Sequence, residues 1–285
     1  MLIVPAMLAA ALSAADASGV DADALIRAVV RSQRSSEQQL ASYTFDQRET
    51  RVKNGKDGLP KEIETKLFYV LSGGGAGEEP TRELVEVNGH PATDGEKRDA
   101  AAEDAKDRQK RVERRAAEKA RSRPAVSGEE DDPLVGTRKL SDLIARYDVA
   151  LRGLEEVEGR ATYVLDFSPR REAVARNLSE TALNALAGRA YIDAADLQVR
   201  RVEAHIVAPV KVGGGLAANV REAEVHYEAE PIGRQHWFPC RIELRLKGKT
   251  AVLFRLDVAY RWELSAFKVF RVETEEAPAA PGAAH

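Results

Sequence analysis

The stretch from Gly188 to Val272 leaves this chain few possible folds, because it alternates apolar and polar residues through three successive segments. In the first, Ala223, Val225, Tyr227 and Ala229 are interleaved with Glu222, Glu224, His226 and Glu228. In the second, Phe238, Cys240, Ile242, Leu244 and Leu246 alternate with Pro239, Arg241, Glu243 and Arg245. In the third, Val252, Phe254, Leu256, Val258, Tyr260, Trp262 and Leu264 alternate mostly with charges. Successive side chains of a strand point to opposite faces, so each segment predicts a strand with one apolar and one wet face. Three in a row predict a large antiparallel sheet covered on one side only.

A phase slip interrupts the pattern just upstream. Leu197 and Val199 lie on one parity, whereas Val202, Ala204, Ile206 and Ala208 lie on the other. A β-bulge at Arg200-Arg201 restores the face and sharpens the local twist. Bulges and glycine breaks are how a sheet is made to curve. The turn Val212-Gly213-Gly214-Gly215-Leu216 supplies such a break.

The rest of the chain reads as strands with helices between them. The apolar run MLIVPAMLAAALSAADASG, ending in Ala15-Asp16-Ala17, predicts a signal peptide over residues 1–17, although no Lys or Arg precedes it. Asp21 or Asp23 caps a helix to about Leu40 with a stripe of Leu25, Ile26, Val29 and Val30. Beyond Arg31 it turns polar, so it should lie on a surface without sealing it. Tyr43 and Phe45 begin a strand, and turn signals at Asn54-Gly55 and Asp57-Gly58 lead into a second. On that second strand Ile63, Thr65, Leu67, Tyr69 and Leu71 are assigned to one face. A third strand, Arg82 to Val87, closes at Asn88-Gly89.

Residues 93–121 are dense in charges of both signs, with alanine nearly the sole apolar type. Such a segment is a good helix former without a face to bury, so it should project into solvent. It is read as a charged helical insertion that extends through a linker to 136, and as the surface for an envelope protein partner. Leu140 to Tyr147 reads as a short helix. Strands follow around Tyr147–Leu151 and Ala161–Phe167, then a polar loop and short helix over 171–187. Residues 276–285 read as a disordered tail, and residues 18–275 as a single domain.

Several kinds of chemistry find no support. The formal net charge of −3 argues against nucleic acid. The lone Cys240 excludes an internal disulfide or a multi-cysteine metal site. No nucleophile elbow or paired-histidine metal motif occurs. His226 between Glu224 and Glu228 reads as part of a solvated face, and Cys240 with His236 lacks a third partner. Gly73–Gly77 lacks the Lys-Ser/Thr of a phosphate loop. No catalytic residue, cofactor or metal is assigned, and the chain reads as non-enzymatic. Aromatic residues at 6% argue against an outer-membrane barrel, and no transmembrane segment is expected after the leader.

The order of elements resembles the outer-membrane lipoprotein-sorting proteins of the bacterial periplasm, the LolA/LolB-like family. The resemblance rests on a leader, a helix entering Tyr43-Thr44-Phe45-Asp46-Gln47, and a later strand pair. That pair reads Gly188-Arg189-Ala190-Tyr191-Ile192-Asp193, then Gln198-Val199-Arg200-Arg201-Val202-Glu203. The resemblance implies a mainly β (α+β) fold: a strongly curved antiparallel half-barrel of about ten strands, with helices covering the concave face. It implies a periplasmic carrier whose groove holds a lipid or lipoprotein acyl chain. The residues expected to line that groove are Tyr43, Phe45, Leu67, Tyr69, Leu165, Phe167, Val225, Tyr227, Ile242, Leu244, Phe254 and Leu256. The same fold with a filled core would instead serve as an interaction or sensor module.

Overall fold

A computed structural model describes residues 20–71, 80–120, 144, 147–170, 178–212, 218–233, 236–250 and 254–270. The leader, the Gly73–Gly77 break, the linker at 122–136, most of the 140–147 helix, the tip at 213–217 and the tail lie outside the described residues.

Helix α1 spans Ala22–Leu40, and its first turn is capped by the Asp21 carboxylate, which accepts from the backbone N–H of Asp23 and Ala24 at 3.0 and 3.1 Å. Strands β1 (Tyr43–Asn54), β2 (Pro60–Leu71), β3 (Thr81–Val87) and β4 (His90–Pro91) follow as a meander. Helix α2 covers Asp94–Ala120. It starts with a reciprocal capping box, in which Thr93 N–H donates to Glu96 at 2.8 Å and Glu96 N–H donates to Thr93 Oγ1 at 3.3 Å. The second meander comprises β5 (Tyr147–Val157), β6 (Arg160–Pro169), a short α3 (Leu178–Leu183), β7 (Leu186–Asp193), β8 (Val199–Ile206), β9 (Val210–Val212), β10 (Ala218–Ile232), β11 (His236–Thr250) and β12 (Phe254–Val269).

These strands form one 12-stranded sheet in the order β4-β3-β2-β1-β12-β11-β10-β8-β7-β6-β5, with β9 paired to β10. Every pairing is antiparallel. The first strand pairs with the last, which stitches the two meanders together. β4 and β5 end the order, so the sheet is open and not a barrel. The expected fold class, a curved antiparallel half-barrel carrying helices, is the one observed, with short strands raising the count.

The bulge foreseen at Arg200-Arg201 is present. Tyr191 pairs Arg201 and Ile192 pairs Val199, leaving Arg200 as the extra residue. Similar extra residues sit at Arg152, Arg221 and Cys240. Gly188 and Gly248 mark two close approaches: an added Cβ would stand 2.0 Å from Glu203 O and 2.1 Å from Asn219 O.

Two expectations are overturned. Leu67 and Tyr69 do not share a face with Phe45. The register pairs Phe45 with Val70 and Gln47 with Phe68, so Phe68 and Val70 point inward at 6% and 2% exposure. The segment KLFYVL is apolar on both parities, so its own period could not choose the face. Helix α2 also does not stand clear of the sheet. Ala100 packs beside Phe45, Phe68, Val70 and Leu84, and Asp104 is buried at 5% exposure.

Candidate functional site

Because directly paired residues share a face, the register carries one apolar surface across the sheet. It runs from Phe45 on β1 to Leu264 and Trp262 on β12, then Ile242 and Leu244 on β11, Val225 and Tyr227 on β10, Val202 on β8, Ala190 on β7, and Leu165 on β6. The same register puts Tyr43, Phe167, Phe254 and Leu256 on this face. All of the expected lining residues except Leu67 and Tyr69 therefore lie on one surface, although they do not meet at one point. Phe254 sits at its far end and is 68% exposed.

The helices cover the two flanks of this surface. On one flank Leu25 and Val29 of α1 pack with Leu165, Ile192 and Val199. On the other, α2 is held by Arg82, which reaches Asp104 at 3.0 Å and Glu49 at 2.7 Å and lies 4.7 Å over the Phe68 ring. Between them Val225, Ile242, Leu246, Tyr260 and Trp262 are half-buried, with Tyr227 packed against the α1 cluster, and Tyr260 stacks on Trp262 with centroids 5.7 Å apart. Leu244 and Val258 in the same region are fully buried.

The second half of α1 docks through polar groups. Its inward stripe continues from Leu25 and Val29 to Gln33 and Ser36, which are 3% and 1% exposed. Ser32 Oγ donates to Asp196 O at 2.9 Å, and Gln198 Nε2 donates to Ser32 O and Oγ at 2.9 and 2.8 Å. The Trp237 backbone N–H donates to Ser36 Oγ at 3.3 Å, and its indole N–H to Asp196 at 2.9 Å. Sequence reasoning assigned these residues no role. The signal was available in the spacing, because 25, 29, 33, 36 and 40 continue one helical stripe whatever their polarity.

The strand-pair motif that carried the resemblance is explained by this docking. Gly188 admits the close β8 backbone. Asp193 caps the β7–β8 turn by accepting from Ala195 and Asp196 N–H at 3.0 and 2.9 Å, and it also holds Arg160. Burial would raise its pKa, but the Arg160 and backbone hydrogen bonds prevail and hold it below the ordinary carboxylate range. Gln198 ties the turn to α1. The bulge aims Arg200 at Val157 O (2.8 Å), Thr162 Oγ1 (3.0 Å) and Glu158 (3.0 Å). Arg160 and Arg200 also lie 5.4 and 5.7 Å from the Trp237 ring.

Polar and titratable groups also lie under and beside α1. Burial, reinforced by Glu37 and Cys240 and only partly offset by Gln33 of α1, pushes the Tyr227 pKa well above the ordinary tyrosine value. The Cys240 thiol is raised to about 11 by burial and by Glu230 and Glu228, so it stays protonated at neutral pH, the reverse of an activated nucleophile. His236 stacks toward Phe238, with centroids 6.3 Å apart. His226 pairs with Glu228 at 3.0 Å, within a network that includes Arg201 and Arg241. Among the described residues no His, Cys, Asp and Glu cluster fit for a metal ion occurs. A cleft of about 300 Å³ at the β11–β12 end reaches the far edge of this face at Leu256 and is otherwise lined mostly by charged residues, and one of about 370 Å³ lies at the β1–β2 hairpin. No helix among the described residues is long and apolar enough to cross a membrane.

No family model and no curated protein matches the chain. Solved structures do. A putative outer membrane lipoprotein-sorting protein domain from Vibrio parahaemolyticus aligns at 11% identity and a TM-score of 0.43, covering 90% of this chain and 96% of that one. A LolA superfamily protein from Nitrosomonas europaea aligns at 10% identity and a TM-score of 0.35, covering 89% and 95%. A DUF1329 family protein from Desulfovibrio piger aligns at 12% identity and a TM-score of 0.34, covering 87% and 92%. These are three of the proteins to which the chain is similar.

Proposed function

We infer that this protein is a non-enzymatic periplasmic carrier or binding protein that holds a lipid or lipoprotein acyl chain on the concave face of its sheet. The observation that carries this reading is the half-buried apolar belt of Val225, Ile242, Tyr260 and Trp262 between two helix-covered flanks. Each methylene laid on such a surface gains about 0.8 kcal/mol, so a partly inserted chain gains several. Delipidated protein should bind a fluorescent fatty-acid analogue saturably. Ile242→Glu, which places a carboxylate at a half-exposed position, should weaken that binding while leaving thermal unfolding within a few degrees. A linear, unsaturable signal in the unsubstituted protein would sink the reading.

A second reading is favoured by the complete burial of Leu244 and Val258 in the centre of the same face. On it the face is a filled core, and the protein is an envelope interaction module that contacts its partner through α2. The titration separates the two, since a filled core takes up no acyl chain.

A further inference from the structure

The three most exposed large apolar side chains among the described residues are Phe254, Leu59 and Ile63, at 68, 64 and 59%. All three sit at one end of the sheet, Leu59 and Ile63 on the β1–β2 hairpin and Phe254 at the start of β12. Hydrogen bonds lock these two parts together. Arg255 donates to Lys56 O at 2.8 Å and to Asp257 at 2.7 Å, and Asn54 Nδ2 donates to the same carboxylate at 2.8 Å. Leu59 is fixed by its own turn: Gly55 N–H donates to Leu59 O at 2.8 Å, and Leu59 N–H donates to Asp57 at 3.1 Å.

Cations surround these side chains. Lys211, Lys249 and Arg255 share one face across four adjacent strands, since Asn219 pairs with both lysines and Lys249 pairs with Arg255. Lys249 and Arg255 are therefore like charges set directly opposite one another, an arrangement that costs stability and that a bound anion relieves. The cleft of about 300 Å³ beside them is lined by Arg221, Lys247, Lys249 and Arg255, with Glu222 as its one acid. Glu222 is already taken by Lys247 at 2.8 Å. Lys56, Lys61, Lys211, Arg221 and Lys249 form no ion pair among the described residues, whereas the acids left unpaired on this end are Asp57 and Glu62. Exposed apolar side chains set among unpaired cations match a surface that is anionic outside and apolar beneath.

We propose that this end of the sheet docks on an anionic phospholipid bilayer. Lipid phosphates lie in the cleft between Lys249, Arg255 and Arg221, and Leu59 and Phe254 enter the boundary between headgroups and acyl chains. The proposal goes beyond the acyl-chain reading and does not depend on it, since a protein with a filled core would dock in the same way.

The test is co-sedimentation of the full chain with phosphatidylcholine vesicles, with and without phosphatidylglycerol. The chain should sediment with the phosphatidylglycerol vesicles alone, and less so as salt rises. Lys249→Glu and Leu59→Ser should each weaken binding at least about fivefold, the first by losing charge attraction and the second by losing inserted area. Lys268→Glu, at the opposite end of β12, should leave it unchanged. Both test positions are exposed, so unfolding midpoints should stay near that of the unsubstituted protein. Sedimentation that is absent, or equal on both vesicles, would overturn the proposal. An equal loss in Lys268→Glu would show diffuse attraction and overturn the placement. Binding that glycerol phosphate displaces and Leu59→Ser leaves intact would show a site for soluble phosphates in place of a bilayer. Should either variant not fold, the comparison of the two vesicles decides the matter alone.

Discussion

At the scale of single residues, the strand-pair motif is a set of packing and docking devices. Gly188 has no room for a side chain, since a Cβ would stand 2.0 Å from Glu203 O and 2.7 Å from the Ala204 Cα. Gly188→Val should therefore cost at least about 1–3 kcal/mol by overpacking, visible as a lowered Tm. Asp193 makes a pH prediction. Its folded pKa is held below the ordinary value, so its contribution is fully present above the unfolded carboxylate pKa of about 3.9 and is lost as pH falls through the depressed folded value. Denaturant midpoints should fall for the unsubstituted protein below about pH 4, and Asp193→Asn should start lower and flatten that limb. Equal slopes for the two would show that Asp193 carries no linked proton. These roles were only partly legible in the sequence. The slip at Arg200-Arg201 fixed the bulge, because parity is read directly from residue order. What Arg200 reaches, Val157 O and Thr162, depends on two strands more than thirty residues away.

At the scale of elements, the two long helices cover the sheet by different means, and both differ from a purely apolar contact. α1 buries Leu25 and Val29 at its start and hydrogen-bonds through Ser32 and Ser36 toward its end. Gln198→Leu should release the second half, giving faster amide exchange over residues 32–40 with little change around 25–29. Uniform acceleration along α1 would show instead that the helix moves as one body. α2 is held by an ion pair in which Asp104 is nearly buried and Arg82 is about a third exposed. Arg82→Ala leaves that carboxylate only its Arg108 ion pair at 3.4 Å and should cost about 1–3 kcal/mol, and the added change Asp104→Ala should recover part of it. Hydropathy could not have foreseen this docking. A helix whose inward residues are Ala100 and Asp104 has no apolar stripe to read, so its expected projection into solvent followed from composition alone. On β2 the opposite problem arose. Too many apolar residues, on both parities, hid the inward pair Phe68 and Val70.

At the scale of the whole molecule, one register-linked apolar face spans an open sheet, with a helix on each flank and a half-buried belt between them. The clean alternation of β10, β11 and β12 made that face legible in advance, since three strands agreed on which residues point inward. The spacing of α1 marks Gln33 and Ser36 as inward, but not their partners, because these depend on which helical turn meets which strand. The central claim is that an acyl chain lies along this belt, and Trp262 is placed to report it. Saturating the delipidated protein with a fatty acid brominated in mid-chain should quench tryptophan fluorescence, and Trp262→Phe should abolish most of the quenching while Trp237, 3% exposed behind its arginines, contributes little. Saturable binding of the brominated chain with Trp262 emission unchanged would contradict the account, because the chain would then lie elsewhere.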